Sequence, residues 1–136
     1  MNEQQKAVIR DCAAASAEAR VSFAEVVQRL TAARIERYLV DFLRGETVYY
    51  APGAEPHAIA THKAAEEPAA AFSAAGVAAA VRGAQSGLPY PDFCAQAMQA
   101  GCVGYHASLV GRRVVYYGRT GDSHVEWFPG AGPSQP

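Results

Sequence analysis

The hydrophobic positions switch from a helical period to a period of two twice along the chain, each time after two helical segments. From Asn2 to about Arg20, Val8, Cys12, Ala15 and Ala19 recur at steps of three and four, which gives one apolar stripe and predicts a helix. Ser22-x-x-Glu25 is a capping-box pattern, and Phe23, Val26, Val27 and Leu30 then form one face of a second helix. The period becomes two over Ile35 to Leu43 and Thr47 to Ala51, with Arg44-Gly45 between them as a two-residue hairpin turn. Pro52-Gly53 marks a turn into a third strand, Pro56 to Thr61.

Sliding the chain along itself by 90 − 23 = 67 residues places Phe23 on Tyr90 and His57 on His124 without a gap. Tyr38 then meets Tyr105, and Tyr49-Tyr50 meets Tyr116-Tyr117. Coincidences among such rare residue types predict tandem copies, each ααβββ. In the second copy the helices fall on Pro68 to about Ala84 and on Tyr90 to Met98, where Pro89 replaces the capping Ser and Pro91 suits the first helical position. Strands follow at Cys102 to Val110, Val114 to Gly118 and Ser123 to Phe128, with Gly111-Arg112 as the hairpin turn.

The expected fold is therefore α+β, with two tandem ααβββ repeats forming one antiparallel sheet and the helices packed on one face. One domain is expected over residues 1–129, in halves of about 1–62 and 63–129, since 67 residues alone make a marginal core. Residues 130–136 carry Gly, Pro and Ser without apolar periodicity and are expected to form a flexible tail.

Alternation also sorts the strands into faces. Tyr38, Val40, Phe42, Thr47 and Tyr49 share one side with Tyr105, Ala107, Leu109, Val114 and Tyr116, and this side is expected under the helices. The other side mixes Asp41, Tyr50, His106 and Tyr117 with apolar residues. It is expected to be open to solvent, a ligand or another subunit, which makes those four the ligand-binding candidates.

Charge and composition then narrow the function. Lys plus Arg is 12 and Asp plus Glu is 13, a net charge of −1 that favours neither a phosphate backbone nor an anionic membrane. Nucleic acid is thus an unfavoured partner. The longest uncharged run, Pro68 to Val81, falls short of the roughly 20 apolar residues of a membrane span, and Met1 to Arg10 has no signal-peptide pattern, so a cytoplasmic protein is expected. Cys12, Cys94 and Cys102 are odd in number and lack Cys-x-x-Cys spacing, which predicts free, buried thiols.

The sharpest catalytic candidates are His57 and His124, each with an acid two positions upstream, Glu55 or Asp122, able to orient the imidazole and raise its basicity. A metal site drawing on His57, His62, His106 and His124, with Asp41 or Glu126, has no supporting ligand motif, and none is expected. Arg112, Arg113 and Arg119 make a modest basic cluster near a turn. No nucleophile elbow, phosphate-binding glycine loop or His-Glu-x-x-His motif is present, and no cofactor is expected.

Some of these segments resemble a known family. Glu36-Arg37-Tyr38-x-Val40-Asp41-Phe42, Thr47-x-Tyr49-Tyr50, Gly101-Cys102-Val103-Gly104-Tyr105 and the run from Gly111-Arg112-Arg113 through Gly121-Asp122-x-His124-Val125-Glu126-x-Phe128-Pro129 are similar to the YbcV/YdfO-like family of small bacterial and prophage proteins. The similarity spans roughly residues 20 to 129. It implies no activity, cofactor or catalytic residue. One departure is Glu55-Pro56-His57, where family members often carry acid-Thr-His. The leading expectation is a non-enzymatic binding or interaction module, with a homodimer through an exposed sheet face or edge. The alternative is an enzyme with a His-centred acid/base site beside a carboxylate and a Tyr.

Overall fold

The computed structural model describes residues 1–61, 63 and 66–132. Along the chain run α1 (Glu3–Ala17), α2 (Phe23–Ala32), β1 (Arg37–Asp41), β2 (Glu46–Tyr50), β3 (His57–Ala60), α3 (Ala74–Gln85), α4 (Tyr90–Gln99), β4 (Cys102–Ser108), β5 (Arg113–Gly118) and β6 (Ser123–Trp127). The strands form one antiparallel sheet in the order β3-β2-β1-β4-β5-β6. The fold is α+β, and the helices pack on the sheet. At a 67-residue shift α2 and α4 coincide at both ends and β2 maps onto the first five residues of β5, whereas α1 and α3 coincide at neither end. No helix among the described residues is long and apolar enough to cross a membrane.

The helix ends differ from the sequence expectation in instructive ways. The reciprocal capping box sits at Asn2 and Gln5 on α1, whereas Ser22 supplies only the hydroxyl half, accepting from the Glu25 amide at 3.2 Å. Helix α1 stops at Ala17, and Ala19 takes φ +57, a left-handed turn that removes it from the stripe; Ile9, fully buried, heads that stripe in place of Val8. Helix α3 begins at Ala74, capped by Ser73, and not at Pro68, whose carbonyl instead accepts from Arg119 Nη2 at 2.8 Å. Tyr90 takes the first helical position of α4 and Pro91 the second.

Both hairpins close through four residues, Phe42–Gly45 and Leu109–Arg112, where the sequence pattern predicts two. Asp41 pairs with Glu46 and Ser108 with Arg113, and left-handed Gly45 (φ +65) and Arg112 (φ +56) complete the turns. The face assignment is unaffected, because moving the pairing by two residues preserves the side on which each side chain points. Tyr38, Val40, Tyr49, Tyr105, Ala107, Val114 and Tyr116 are all buried. They join Ile9, Cys12, Leu30, Val77, Phe93 and Met98 from the four helices in one core cluster. Within it the Tyr90 and Tyr105 hydroxyls lie 2.7 Å apart, so two phenols that burial would otherwise leave costly satisfy one another.

β1 and β4 pair along the central seam of the sheet, where Arg37 pairs with Ser108 and Asp41 with Gly104. A bulge at Val103 precedes Gly104, and a Cβ at Gly104 would lie 2.3 Å from the Val40 carbonyl oxygen. At the far end Phe23 of α2 meets Phe128 edge-on at 5.4 Å, tying α2 to the residue that follows β6. Beyond Gly130, the Ala131 amide donates to the Phe128 carbonyl at 2.9 Å; residues 133–136 of the expected tail lie outside the described residues.

Candidate functional site

Among the described residues no helix covers the other side of the sheet, and its registers sort it into three rows running across the strands. The central row is Ala58, Val48, Leu39, His106, Val115 and Val125, in the order β3 to β6. Toward one strand end lie Glu46, Asp41, Gly104 and Tyr117; toward the other lie Tyr50, Arg37, Ser108, Arg113 and Trp127. An apolar strip is thus bordered by acid on one side and by guanidinium and aromatic groups on the other. Apart from buried Gly104, these residues are half-buried or exposed, with Val125 40% accessible.

The four ligand-binding candidates all fall on this face, but in different rows. Asp41 Oδ1 accepts from the Leu43 and Arg44 amides, both at 3.0 Å, which ties its carboxylate to the hairpin turn. Tyr117 lies over Gly104, whose missing side chain makes room: a Cβ there would sit 2.9 Å from the phenol oxygen. Burial, then the Asp41 charge and Cys102, push the Tyr117 phenol above its ordinary range. His106 is held below the usual imidazole value, first by burial and then by the Arg37 guanidinium; its Nε2 is enclosed without a hydrogen-bond partner among the described residues.

The most specific contacts on the face were not singled out by the sequence. Arg37 lies over the Tyr50 ring at 3.8 Å from its centroid, and Arg113 over the Trp127 ring at 4.2 Å. Each stack follows from register, since Arg37 is paired with Tyr50 and Arg113 with Trp127. Guanidiniums held this way keep their planes fixed and gain about 0.5–1 kcal/mol each at an accessible site. Among the described residues, neither makes an ion pair with a carboxylate. Charge and β-period were visible in the sequence; the cross-strand partner was not.

The expected basic cluster is dispersed. Arg113 is on the open face, Arg112 is an exposed left-handed turn residue, and Arg119 binds the Pro68 carbonyl and Glu67 at 3.5 Å, pinning the linker before α3.

The histidine candidates lie on the opposite face. Register places His57 beside Tyr49 and His124 beside Tyr116, on the helix-covered side of the two edge strands. Five strand spacings, about 24 Å, separate those edges, so the two histidines do not share a site. His124 is joined to Glu126, Nε2 to Oε2 at 2.5 Å, whereas Asp122 is exposed and its backbone carbonyl accepts from the Gly118 amide. No hydrogen bond or ion pair joins Glu55 to His57 among the described residues, and Glu55 is exposed. The acid that orients His124 is therefore two residues downstream, not upstream.

His62 lies outside the described residues, and no group of three or more His, Cys, Asp or Glu among the described residues is placed to hold a metal ion. A shallow depression on the helical side is lined by Ser73, Gly76, Gln96, Gln99 and Ala100, none of them a candidate. No known family model matches the chain, and no curated protein matches it.

Proposed function

We propose that this chain is a small cytoplasmic, non-enzymatic binding module whose partner seats on the open sheet face. The observation that carries the reading is the pair of ring-stacked guanidiniums, Arg37 on Tyr50 and Arg113 on Trp127, bordering an apolar strip and lacking carboxylate partners among the described residues. Such groups are pre-oriented donors beside a surface whose burial is favourable, the combination that marks interface anchors. Matching elements at a 67-residue shift support descent from one doubled segment, and the motif set supports membership of the YbcV/YdfO-like family; neither supplies a mechanism.

The test replaces Val48, in the central row, with the photoreactive residue p-benzoylphenylalanine and compares it with the same replacement at exposed Asp11 on α1. Irradiation of expressing cells is expected to give a discrete covalent adduct from position 48 and none from position 11. Absence of an adduct from position 48 rejects the reading.

The 2.5 Å contact of His124 with Glu126, beside buried Tyr116, favours a second reading as an acid/base enzyme. Under that reading His124→Gln abolishes a turnover while the fold and the open-face adduct survive.

A further inference from the structure

We infer that the occupant of the open face is a second copy of this chain, packed face to face with its twofold axis lying along the central row of residues. The inference rests on the reading of this face as a binding surface and specifies what binds there.

A twofold dimer of two flat faces has its axis in the plane between them, and two directions suit a sheet: along the strands or across them. An axis along the strands, between β1 and β4, would lay Asp41 over Gly104, Glu46 over Tyr117, Arg37 over Ser108 and Arg113 over Tyr50, so that no acid meets a guanidinium. An axis across the strands exchanges the outer rows. Asp41 and Arg37 occupy the same strand at opposite ends, so this second operation places Asp41 of one protomer over Arg37 of the other, twice per dimer. It also places Tyr117 over the Arg113 column, which is the same strand, while Leu39, His106 and Val115 meet their own copies on the axis. Asp41 and Arg37 are therefore complementary in charge under this rotation, while Glu46, already ion-paired to Arg44 of its own chain at 3.5 Å, falls over Tyr50. Arg37, which has no carboxylate partner among the described residues, receives one from the second copy.

The area is sufficient. Six strands at about 4.8 Å spacing and five residues at about 3.4 Å rise span roughly 29 by 17 Å, or about 490 Å² of plane per copy. Two copies cover about 1,000 Å² before side-chain relief is counted, which is the threshold for a biological interface and the size class of weak, reversible ones. Strands of the two copies would run in opposed directions, offset by the roughly 30° that twisted sheets adopt when packed.

Sedimentation equilibrium of the wild-type chain over roughly 1–200 µM is expected to fit a monomer–dimer equilibrium of the 14.4 kDa chain. Arg37→Glu puts two like-charge pairs into the dimer and is expected to weaken it roughly tenfold or more. Arg37→Glu combined with Asp41→Asn, which keeps an oxygen acceptor for the Leu43 and Arg44 amides, removes the repulsion and is expected to recover part of that loss. Circular dichroism of each variant checks that the fold is kept. If Arg37→Glu fails to fold, Arg37→Gln with folding retained is expected to give an intermediate weakening.

A wild-type chain that stays monomeric throughout, or a dimer indifferent to the folded Arg37 variants, overturns the inference. The mass of the position-48 adduct separates this failure from that of the broader reading. Twice the chain mass supports the second copy. A different mass overturns the self-pairing while leaving the face a binding surface, and absence of any adduct rejects both.

Discussion

Gly104→Ala tests the seam on which both the core and the open face depend. A Cβ at this position would lie 2.3 Å from the Val40 carbonyl oxygen, about 1 Å inside the 3.3 Å at which carbon and carbonyl oxygen make their closest favourable contacts. The obstructing atom is backbone in the neighbouring strand, so no rotamer change relieves it, and the Tyr117 phenol at 2.9 Å blocks the other side. Opening β1 from β4 by about 1 Å stretches ladder bonds past the roughly 3.2 Å limit of good geometry. One or two buried backbone groups left without partners cost about 1–3 kcal/mol each. The expected destabilisation is about 3 kcal/mol, or roughly 10 °C in Tm for a chain of this size. Urea unfolding followed by circular dichroism and by the fluorescence of the single Trp, Trp127, measures it. A change below about 0.5 kcal/mol, the range of neutral surface substitutions, would refute the close approach.

Three further outcomes follow from the buried ionisable groups. His106 has a folded-state pKa below its ordinary 6.5, so between these values the unfolded chain binds the extra proton; stability is expected to fall as pH drops below about 6.5, and His106→Gln to flatten that slope in denaturant titrations. Burial pushes the Cys94 and Cys102 thiols up to about 11, leaving about one in a thousand as thiolate at pH 8. An aromatic disulfide reagent should therefore find no rapidly reacting thiol at those two positions in the native protein and all three cysteines after denaturation. Desolvation holds the Tyr38, Tyr49, Tyr90, Tyr105 and Tyr116 phenols above the ordinary value near 10, so the stability they contribute is complete below that pH and lost above it. Phenolate absorbance from these five is expected to appear in one cooperative step with alkaline unfolding; gradual titration in a folded protein would contradict their enclosure.

Much of the candidate surface is legible in the sequence. Asp41, Tyr50, His106 and Tyr117 were placed on the uncovered side by alternation alone, and the structure keeps all four there, although both hairpin loops are two residues longer than expected. What alternation could not show was their spacing into rows. Arg37 and Trp127 carry no signal as isolated residues; each matters because of the residue one strand away. His124 shows the same limit, since the acid two residues upstream and the acid two residues downstream are equivalent by strand period, and the structure joins it to Glu126.

The sequence by itself determined the helices, the strands and the side on which each strand residue points, because these follow from backbone sterics and from burial of apolar groups at periods of 3.6 and 2. Only the tertiary structure decided which side chains meet. Cross-strand partners depend on loop length and on hydrogen bonds between segments up to about seventy residues apart, such as β1 and β4, which no local pattern encodes. The acidic, apolar and guanidinium rows exist only once six strands have taken one register.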